Sequence, residues 1–185
     1  MRIVGGKFRG RALKTPESQD IRPTTDRARE SLFNILINQL GHDWSGIRAL
    51  DMFAGTGALG LEALSRGAAH ALFVETSVEG RGLIRDNIEA LNLTGVARLL
   101  RRDATDMGPV GTMEPFDLAF ADPPYGKGLG EAAYASAAIG GWLADNALCI
   151  LEEAAGSPFT LPACFALEDE RRYGDTCLRF MRFTK

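Results

Sequence analysis

Histidine and cysteine are scarce in this chain of 185 residues, which has two histidines and three cysteines. Cys149, Cys164 and Cys177 show no CxxC spacing, and neither histidine stands at a metal-ligand spacing from them. We therefore expect no zinc site and no bound metal. Each cysteine lies in an apolar run typical of a strand, where small buried thiols are common, so the cysteines are predicted to be structural and reduced.

Long apolar runs are also missing. No run approaches the ~20 residues that a membrane span requires, and the opening Met-Arg-Ile-Val-Gly-Gly-Lys lacks the apolar segment of a secretion signal. We therefore expect a cytoplasmic protein that does not bind a membrane. An overall basic charge is absent as well, since the net charge is −3. Nucleic-acid binding would thus have to rest on a local cluster of basic residues.

A local basic cluster is present at the N-terminus. The first 15 residues contain no acidic residue, and their basic residues are Arg2, Lys7, Arg9, Arg11 and Lys14. Arg9, Arg11 and Lys14 suit contacts with RNA phosphates, which would make binding steeply dependent on salt. A solvated basic tail is the alternative interpretation.

The length of the chain and its 45% apolar content favour one compact domain, with a basic extension over residues 1–22 and a core over residues 23–185. A helix is predicted from about residue 25, where a threonine can cap it, to Leu40. Its apolar residues, Leu32, Phe33, Leu36, Ile37 and Leu40, have helical spacing. They leave Arg27, Glu30 and Asn34 on another face.

From residue 46 onward, short apolar runs alternate with longer helical patterns, which indicates an α/β fold with a mostly parallel sheet. Strands are expected at 47–52, 71–74, 97–100, 116–121, 147–151, 165–168 and 177–183, and helices at 57–66, 78–91 and 130–143. Tyr173-Gly174-Asp175 is a turn sequence, so the last two strands should form an antiparallel hairpin at the sheet edge. The prediction is a seven-stranded, Rossmann-like sheet with helices on both faces.

The segment from Asp51 to Gly60 follows the first strand and opens a helix. Gly55, Gly57 and Gly60 match the pattern G-x-G-x-x-G, which is a weak indicator when taken alone. Such a loop suits either a dinucleotide pyrophosphate or an adenosyl amino acid. Asp51 at the strand end would repel a pyrophosphate and suits the ammonium group of S-adenosylmethionine. The cofactor residues expected here are Asp51, Phe53, Ala54, Gly55, Thr56 and Gly57.

Two later acids follow the next two strands. Glu75 lies about 20 residues after the glycine loop, the position from which a carboxylate accepts hydrogen bonds from ribose hydroxyls. Asp103, followed by Ala104, can accept a hydrogen bond from the adenine amino group. Exposed loop carboxylates are the alternative for both. Because nicotinamide cofactors also contain ribose, Glu75 does not exclude the alternative that the protein is a nicotinamide-dependent oxidoreductase.

The fourth strand runs directly into Asp122-Pro123-Pro124-Tyr125. Two prolines remove two N–H donors and leave carbonyl groups as acceptors. Asp122 and the Pro123 carbonyl can each accept one N–H of an exocyclic base amine, which orients its nitrogen for attack on a sulfonium methyl. Tyr125 supplies a flat surface for stacking the base. A rigid strand-to-helix turn is the structural alternative.

With these motifs, the chain resembles the bacterial 16S rRNA guanine-N2 methyltransferases of the RsmD type, which are class I methyltransferases. The resemblance spans nearly the whole chain and rests on Arg2-Ile-Val-Gly-Gly-Lys7 with Gly10, Arg22-Pro-Thr-Thr-Asp-Arg27, Glu30-Ser-Leu-Phe-Asn34, Asp51-Met-Phe-Ala-Gly-Thr-Gly57, Asp122-Pro-Pro-Tyr125 and Tyr173-Gly-Asp-Thr176. It implies S-adenosylmethionine as cofactor, a single methyltransferase domain and a basic N-terminal hairpin that holds 16S rRNA.

The resemblance further implies that the segment from Arg22 to Arg27 lies near the methionine end of the cofactor and the incoming base. Arg22 and Thr24 are then expected to contact the cofactor, and Arg27 the substrate. The expected partner is 16S rRNA, free or in a small-subunit assembly intermediate, with the protein as a monomer. The guanine target follows from the resemblance alone, since the residues do not distinguish guanine N2 from adenine N6. An adenine-N6 methyltransferase that acts on RNA or DNA is therefore an alternative. A non-catalytic RNA-binding module is the remaining alternative.

Overall fold

The computed structural model describes residues 1–18 and 24–185, which form two compact units, residues 1–101 and residues 102–185. The strands form a seven-stranded mixed sheet that is mostly parallel and has an antiparallel last hairpin. This architecture confirms the predicted α/β fold. In the described residues, no helix is long and apolar enough to cross a membrane.

The first unit contains three strands and three helices. They are α1 (Asp26–Leu40), β1 (Arg48–Met52), α2 (Ala58–Ser65), β2 (His70–Val74), α3 (Val78–Ala90) and β3 (Ala97–Leu100). The strand order is β3-β2-β1, and both pairings are parallel. Almost every residue of β1 and β2 is buried, as expected for strands covered on both sides.

Helix α1 begins as the sequence predicts. The Thr25 hydroxyl accepts the N–H of Ala28 at 3.1 Å, and Asp26 stands in the first turn, where the helix dipole favours an acid. Leu32, Phe33 and Leu36 are buried on the predicted apolar face. Arg29 is buried with them, although a charged residue is not expected on a buried face.

The second unit contains β4 (Phe116–Ala121), α4 (Leu129–Ile139), β5 (Leu143–Ala154), β6 (Phe165–Tyr173) and β7 (Thr176–Phe183). Its strand order is β4-β5-β7-β6, with β7 antiparallel to both neighbours. The turn predicted at Tyr173-Gly174-Asp175 joins β6 to β7. Cys149 and Cys177 lie in buried strand positions, whereas Cys164 precedes β6 in a turn, so its predicted strand position is wrong.

Several predicted boundaries in this unit are wrong, since β5 continues to Ala154 and β6 to Tyr173 instead of ending at residues 151 and 168. Helix α4 ends at Ile139 instead of continuing to residue 143, because two glycines follow. A Cβ on Gly140 would stand 2.1 Å from the Gly108 carbonyl oxygen, and Gly141 has φ +79°. Strand β5 begins at Leu143, not at residue 147. An irregularity lies between these two positions, because the pairing of β5 with β4 shifts register there and Asn146 has φ +67°.

The N-terminal residues form the predicted hairpin. Arg2 makes an antiparallel bridge with Ala12, and the N–H of Ile3 donates to the Arg11 carbonyl at 2.9 Å. The hairpin packs against α2, where the N–H of Lys7 donates to the Ser65 carbonyl at 2.7 Å. The predicted boundary of this extension, at residue 22, lies outside the described residues.

Candidate active site

The glycine loop after β1 has the backbone that its sequence requires. Phe53, Gly55 and Gly57 have φ of +56°, +58° and +79°. A non-glycine residue in this region is uncommon, and such strain concentrates at ligand sites. A Cβ on Gly60 would meet the Phe73 ring at 2.4 Å, so this position of α2 has no room for a side chain against β2.

Asp51 lies beneath this loop. Its carboxylate is buried, and Oδ2 accepts the N–H of Gly60 at 2.9 Å near the start of α2. Burial, with a smaller effect from the charge of Glu75, raises the pKa of Asp51 to about 8. The carboxylate therefore fixes α2 against β1 and carries a proton that a nearby cation would displace.

Glu75 contacts the same loop from the end of β2. Its Oε1 accepts the N–H of Gly55 at 2.7 Å, and its Oε2 accepts the N–H of Ser77, the N-cap of α3, at 2.9 Å. Each carboxylate oxygen has a second lone pair available for a ligand hydroxyl. Glu75 thus connects the glycine loop to the start of α3 and retains accepting capacity.

These residues fit the predicted cofactor. Two acidic side chains accept backbone N–H groups of this loop and the helix after it, Glu75 from Gly55 and Asp51 from Gly60. The negative charge of Glu75 opposes a pyrophosphate. A cationic adenosyl amino acid suits both groups, because a nearby cation favours the ionised form of Asp51. Thr56 is buried and Phe53 half-buried in this loop.

The remaining residues predicted to contact the cofactor are placed as follows. Thr24 is half-buried just before α1, and Arg22 lies outside the described residues. Asp103 belongs to the second unit and is exposed, with Oδ1 accepting the N–H and the hydroxyl of Thr105, each at 2.8 Å. Ala104 is buried beside it. The roles predicted for these residues remain predictions.

The loop from Asp122 to Tyr125 leaves the end of β4 as predicted. Pro123 is buried, Pro124 is exposed, and Asp122 and Tyr125 are half-buried. The Tyr125 hydroxyl donates to Oε1 of Glu152 at 2.8 Å and lies 3.1 Å from the Thr176 hydroxyl. Burial is the main cause that raises the pKa of Tyr125 to about 12, so the side chain is a neutral phenol at physiological pH.

A second carboxylate holds the residue after this loop. Glu153 is buried, and its Oε1 accepts the N–H of Gly126 at 2.9 Å and that of Ala154 at 2.8 Å. The sequence did not lead us to predict three of these supporting residues, Glu152, Glu153 and Thr176. The sequence does contain a signal for the two glutamates, because they stand near the end of β5 as Asp51 and Glu75 stand at the ends of β1 and β2. Thr176 is the last residue of a motif that entered the prediction only through the family resemblance.

The N-terminal basic side chains predicted to contact RNA differ in their partners. The Arg11 guanidinium donates to the Ala90 carbonyl at 2.8 Å, and Lys14 Nζ lies 3.0 Å from Asp86 Oδ2. Lys14 is nevertheless 63% exposed, and Arg9 is exposed on the hairpin. Arg27 is exposed on α1.

In the described ranges 1–18 and 24–185, no group of three or more His, Cys, Asp or Glu side chains could hold a metal ion.

Comparison with known proteins identifies the family. Residues 1–182 match the family model described as "Conserved hypothetical protein 95". The chain is 41% identical to the ribosomal RNA small subunit methyltransferase D of Escherichia coli K12, over 97% of this chain and 88% of that protein. The protein of that name from Haemophilus influenzae is 34% identical, over 94% and 89% of the two chains. The solved structure of the yhhF protein of Escherichia coli superposes with a TM-score of 0.83 at 37% identity, covering 100% of this chain and 98% of that one.

Proposed function

The chain belongs to the RsmD-type family of ribosomal RNA small subunit methyltransferases, and we propose that it transfers the methyl group of S-adenosylmethionine to the exocyclic N2 amino group of a guanine in 16S rRNA. The observation that carries this proposal is the loop from Asp122 to Tyr125, an acceptor-rich segment anchored to β5 and β7 by Glu152, Glu153 and Thr176.

The residues of this loop match what an exocyclic amine needs. Its nitrogen is a poor nucleophile because the lone pair is conjugated with the ring, and it carries two N–H donors. Asp122 and the Pro123 carbonyl each accept one of them, which turns the nitrogen toward the methyl group and stabilises its developing positive charge. The ring of Tyr125 stacks on the base.

The reaction forms one N–C bond and breaks one C–S bond. S-adenosylmethionine supplies an electrophilic methyl group when bound. The methylated nitrogen then holds an extra proton, which Asp122 accepts and passes to solvent. No metal is required for this balance.

The cofactor assignment is supported by the first unit. The Asp51 carboxylate, whose pKa burial raises, suits an ammonium group, and Glu75 has accepting capacity for ribose hydroxyls. Phe53, Ala54, Gly55, Thr56 and Gly57 supply the loop. Thr24, Asp103 and Ala104, with Arg22 outside the described residues, complete the proposed set. On the RNA side we assign Arg9, Arg11, Lys14 and Arg27.

The guanine target rests on membership of the family, because the acceptors in the Asp122 loop would hold adenine N6 equally well. Methyl transfer to adenine is therefore the second candidate function. It keeps the same loop chemistry and differs in the product.

One experiment separates the candidates. The protein is incubated with labelled S-adenosylmethionine and unmodified 16S rRNA, free or in small-subunit particles, and the RNA is digested to nucleosides. We expect N2-methylguanosine from the wild type and background label from Asp122→Asn. N6-methyladenosine would overturn the guanine assignment, and RNA binding without any methyl transfer would overturn catalysis.

A further inference from the structure

One buried amide side chain connects the glycine loop to the basic N-terminal segment. Asn87 of α3 is 1% exposed. Its Nδ2 donates to the Thr56 carbonyl at 3.1 Å, within the glycine loop. Its Oδ1 accepts the N–H of Lys14 at 2.8 Å, and its Nδ2 also lies 3.4 Å from the Lys14 carbonyl. Both ends of the amide are therefore in use: Nδ2 donates to the glycine loop, and Oδ1 accepts from the N-terminal segment.

A second contact joins the same two segments. The Thr56 hydroxyl donates to the Met1 sulfur at 3.7 Å, within the range of a weak sulfur hydrogen bond. The Thr56 side chain thus contacts the N-terminal segment directly. The Thr56 carbonyl is connected to that segment through Asn87. Its hydroxyl oxygen also accepts the N–H of Ala58 at 3.3 Å, the first residue of α2.

The N-terminal segment follows one face of α3. Arg11 contacts Ala90 at the end of the helix, Lys14 pairs with Asp86, and the Ser18 hydroxyl and backbone N–H bond to Glu79 in the first turn. Positions 79, 86, 87 and 90 share a helix face. The contacts at Asp86 and Glu79 are exposed or part-buried, whereas Asn87 is buried. Asn87 also donates a hydrogen bond to the glycine loop, so it connects this helix face to the cofactor side.

We propose that Asn87 is a positioning residue that couples cofactor binding at the glycine loop to RNA binding by the N-terminal segment, so that each ligand tightens the other. This inference rests on the proposed function. A ligand that holds the Thr56 peptide in place also orders Asn87, and an ordered Asn87 fixes the backbone at Lys14. RNA then binds a segment that is already ordered, and the second ligand loses less conformational entropy.

Thermodynamic linkage makes the effect reciprocal and measurable. The dissociation constant for 16S rRNA is measured with and without S-adenosylhomocysteine, which occupies the cofactor site without reacting, and the converse titration is made with RNA present. Couplings of this kind change affinity about 5–150-fold. We expect a ratio of at least about fivefold in the wild type, with the same factor in both directions.

Asn87→Ala tests the route of the coupling, and Asp86→Asn is its matched control. The control residue neighbours Asn87 on the same helix and contacts the same lysine, but its contact is the exposed ion pair, so it leaves the link to Thr56 intact. We expect the ratio to fall to about one in Asn87→Ala and to stay at the wild-type value in Asp86→Asn. An unchanged ratio in Asn87→Ala would overturn the proposal.

A measurement on the wild type guards against a variant that fails to fold. Backbone hydrogen exchange at Lys14, whose N–H donates to Asn87, should slow when S-adenosylhomocysteine is added without RNA. Unchanged exchange there would contradict the coupling. Failure of the proposed function gives a different result, because the wild type would then not bind the cofactor or would not methylate RNA. If only this inference fails, both ligands bind and their affinities are independent of each other.

Discussion

The hydroxyl of Tyr125 donates a 2.8 Å hydrogen bond to Oε1 of Glu152, which belongs to β5. The hydroxyl of Thr176 lies 3.1 Å from the same phenol oxygen and can donate to it. Because a phenol has one proton and accepting lone pairs, these two partners satisfy the hydroxyl group and fix the direction of the ring. The aromatic face that we propose to stack on the base is therefore held in place by the protein's own contacts.

Substitutions of Tyr125 should separate the ring from its hydroxyl. Tyr125→Ala removes the stacking surface, which is worth about 1–3 kcal/mol per base, so kcat/KM should fall about 5–150-fold. Tyr125→Phe keeps the ring and loses its two polar contacts, so a smaller loss is expected. Steady-state kinetics with RNA as the varied substrate provide the measurement. Equal losses in the two variants would show that the hydroxyl, not the ring, is what the reaction needs.

Asp122 should affect the chemical step and leave cofactor binding intact. Removing one preorganised group that stabilises developing charge costs about 10²–10³-fold in kcat. We expect a loss of this size in single-turnover methyl transfer by Asp122→Ala, since the amine loses an acceptor for one N–H and for its proton. The affinity for S-adenosylhomocysteine, measured by calorimetry, should stay within about twofold of the wild type. Full activity in this variant would contradict the mechanism.

Much of the fold was predictable because its signals are local. Buried parallel strands have continuous apolar sequences, and β4, at Phe116–Ala121, matches its predicted bounds. The Tyr173-Gly174-Asp175 turn and the Thr25 cap depend on the chemistry of neighbouring residues, and both are where the sequence placed them. The loop from Asp122 to Tyr125 could be predicted as a candidate site for the same reason, since its residues are contiguous.

The supporting residues of the site could not be read in the same way, because their roles depend on distant partners. Glu153 in β5 reads as a surface acid in sequence, yet its buried carboxylate holds the N–H of Gly126. Arg29 shows a partial signal, since it precedes Leu32 and Phe33 by three and four residues and so shares their helix face. Only the tertiary structure reveals Glu62 as a partner that allows its burial.

Asp51 should make folding stability depend on pH. Its pKa is about 8 in the folded protein and about 3.9 when unfolded. Between these values the folded protein binds a proton that the unfolded chain releases, so the free energy of unfolding should fall as pH rises from 5 to 8 and level off above 8. Asp51→Asn retains a carbonyl acceptor for the Gly60 N–H and does not titrate.

Urea unfolding at pH 5, 6, 7 and 8 measures this effect. The stability of the wild type relative to Asp51→Asn should decline with pH by up to about 1.4 kcal/mol per pH unit. Taking the difference between the two proteins removes the contribution of all other titrating groups that behave alike in both. Parallel pH profiles would mean that Asp51 is not the group responsible.

The buried arginine of α1 should matter more for stability than an exposed ion pair. The Arg29 side chain is fully buried, lies 3.4 Å from the buried Glu62 carboxylate, donates to the Arg2 carbonyl at 2.8 Å and pairs with Asp26. Glu62 in turn accepts the N–H of Val4 at 3.1 Å, so this pair fastens the N-terminal hairpin to α1 and α2. Removing one partner of a buried pair costs about 3–5 kcal/mol.

We therefore expect Arg29→Met to lower the free energy of unfolding by about 3 kcal/mol or more, because Glu62 remains buried with one cationic partner fewer. Arg66, whose Nε lies 3.0 Å from Glu62, moderates that loss. Lys14→Met is the control, since its ion pair with Asp86 is exposed and such pairs contribute about 0–1 kcal/mol. Urea unfolding of the three proteins at one pH measures the difference. Comparable losses in the two variants would show that the buried pair adds no more than the exposed one.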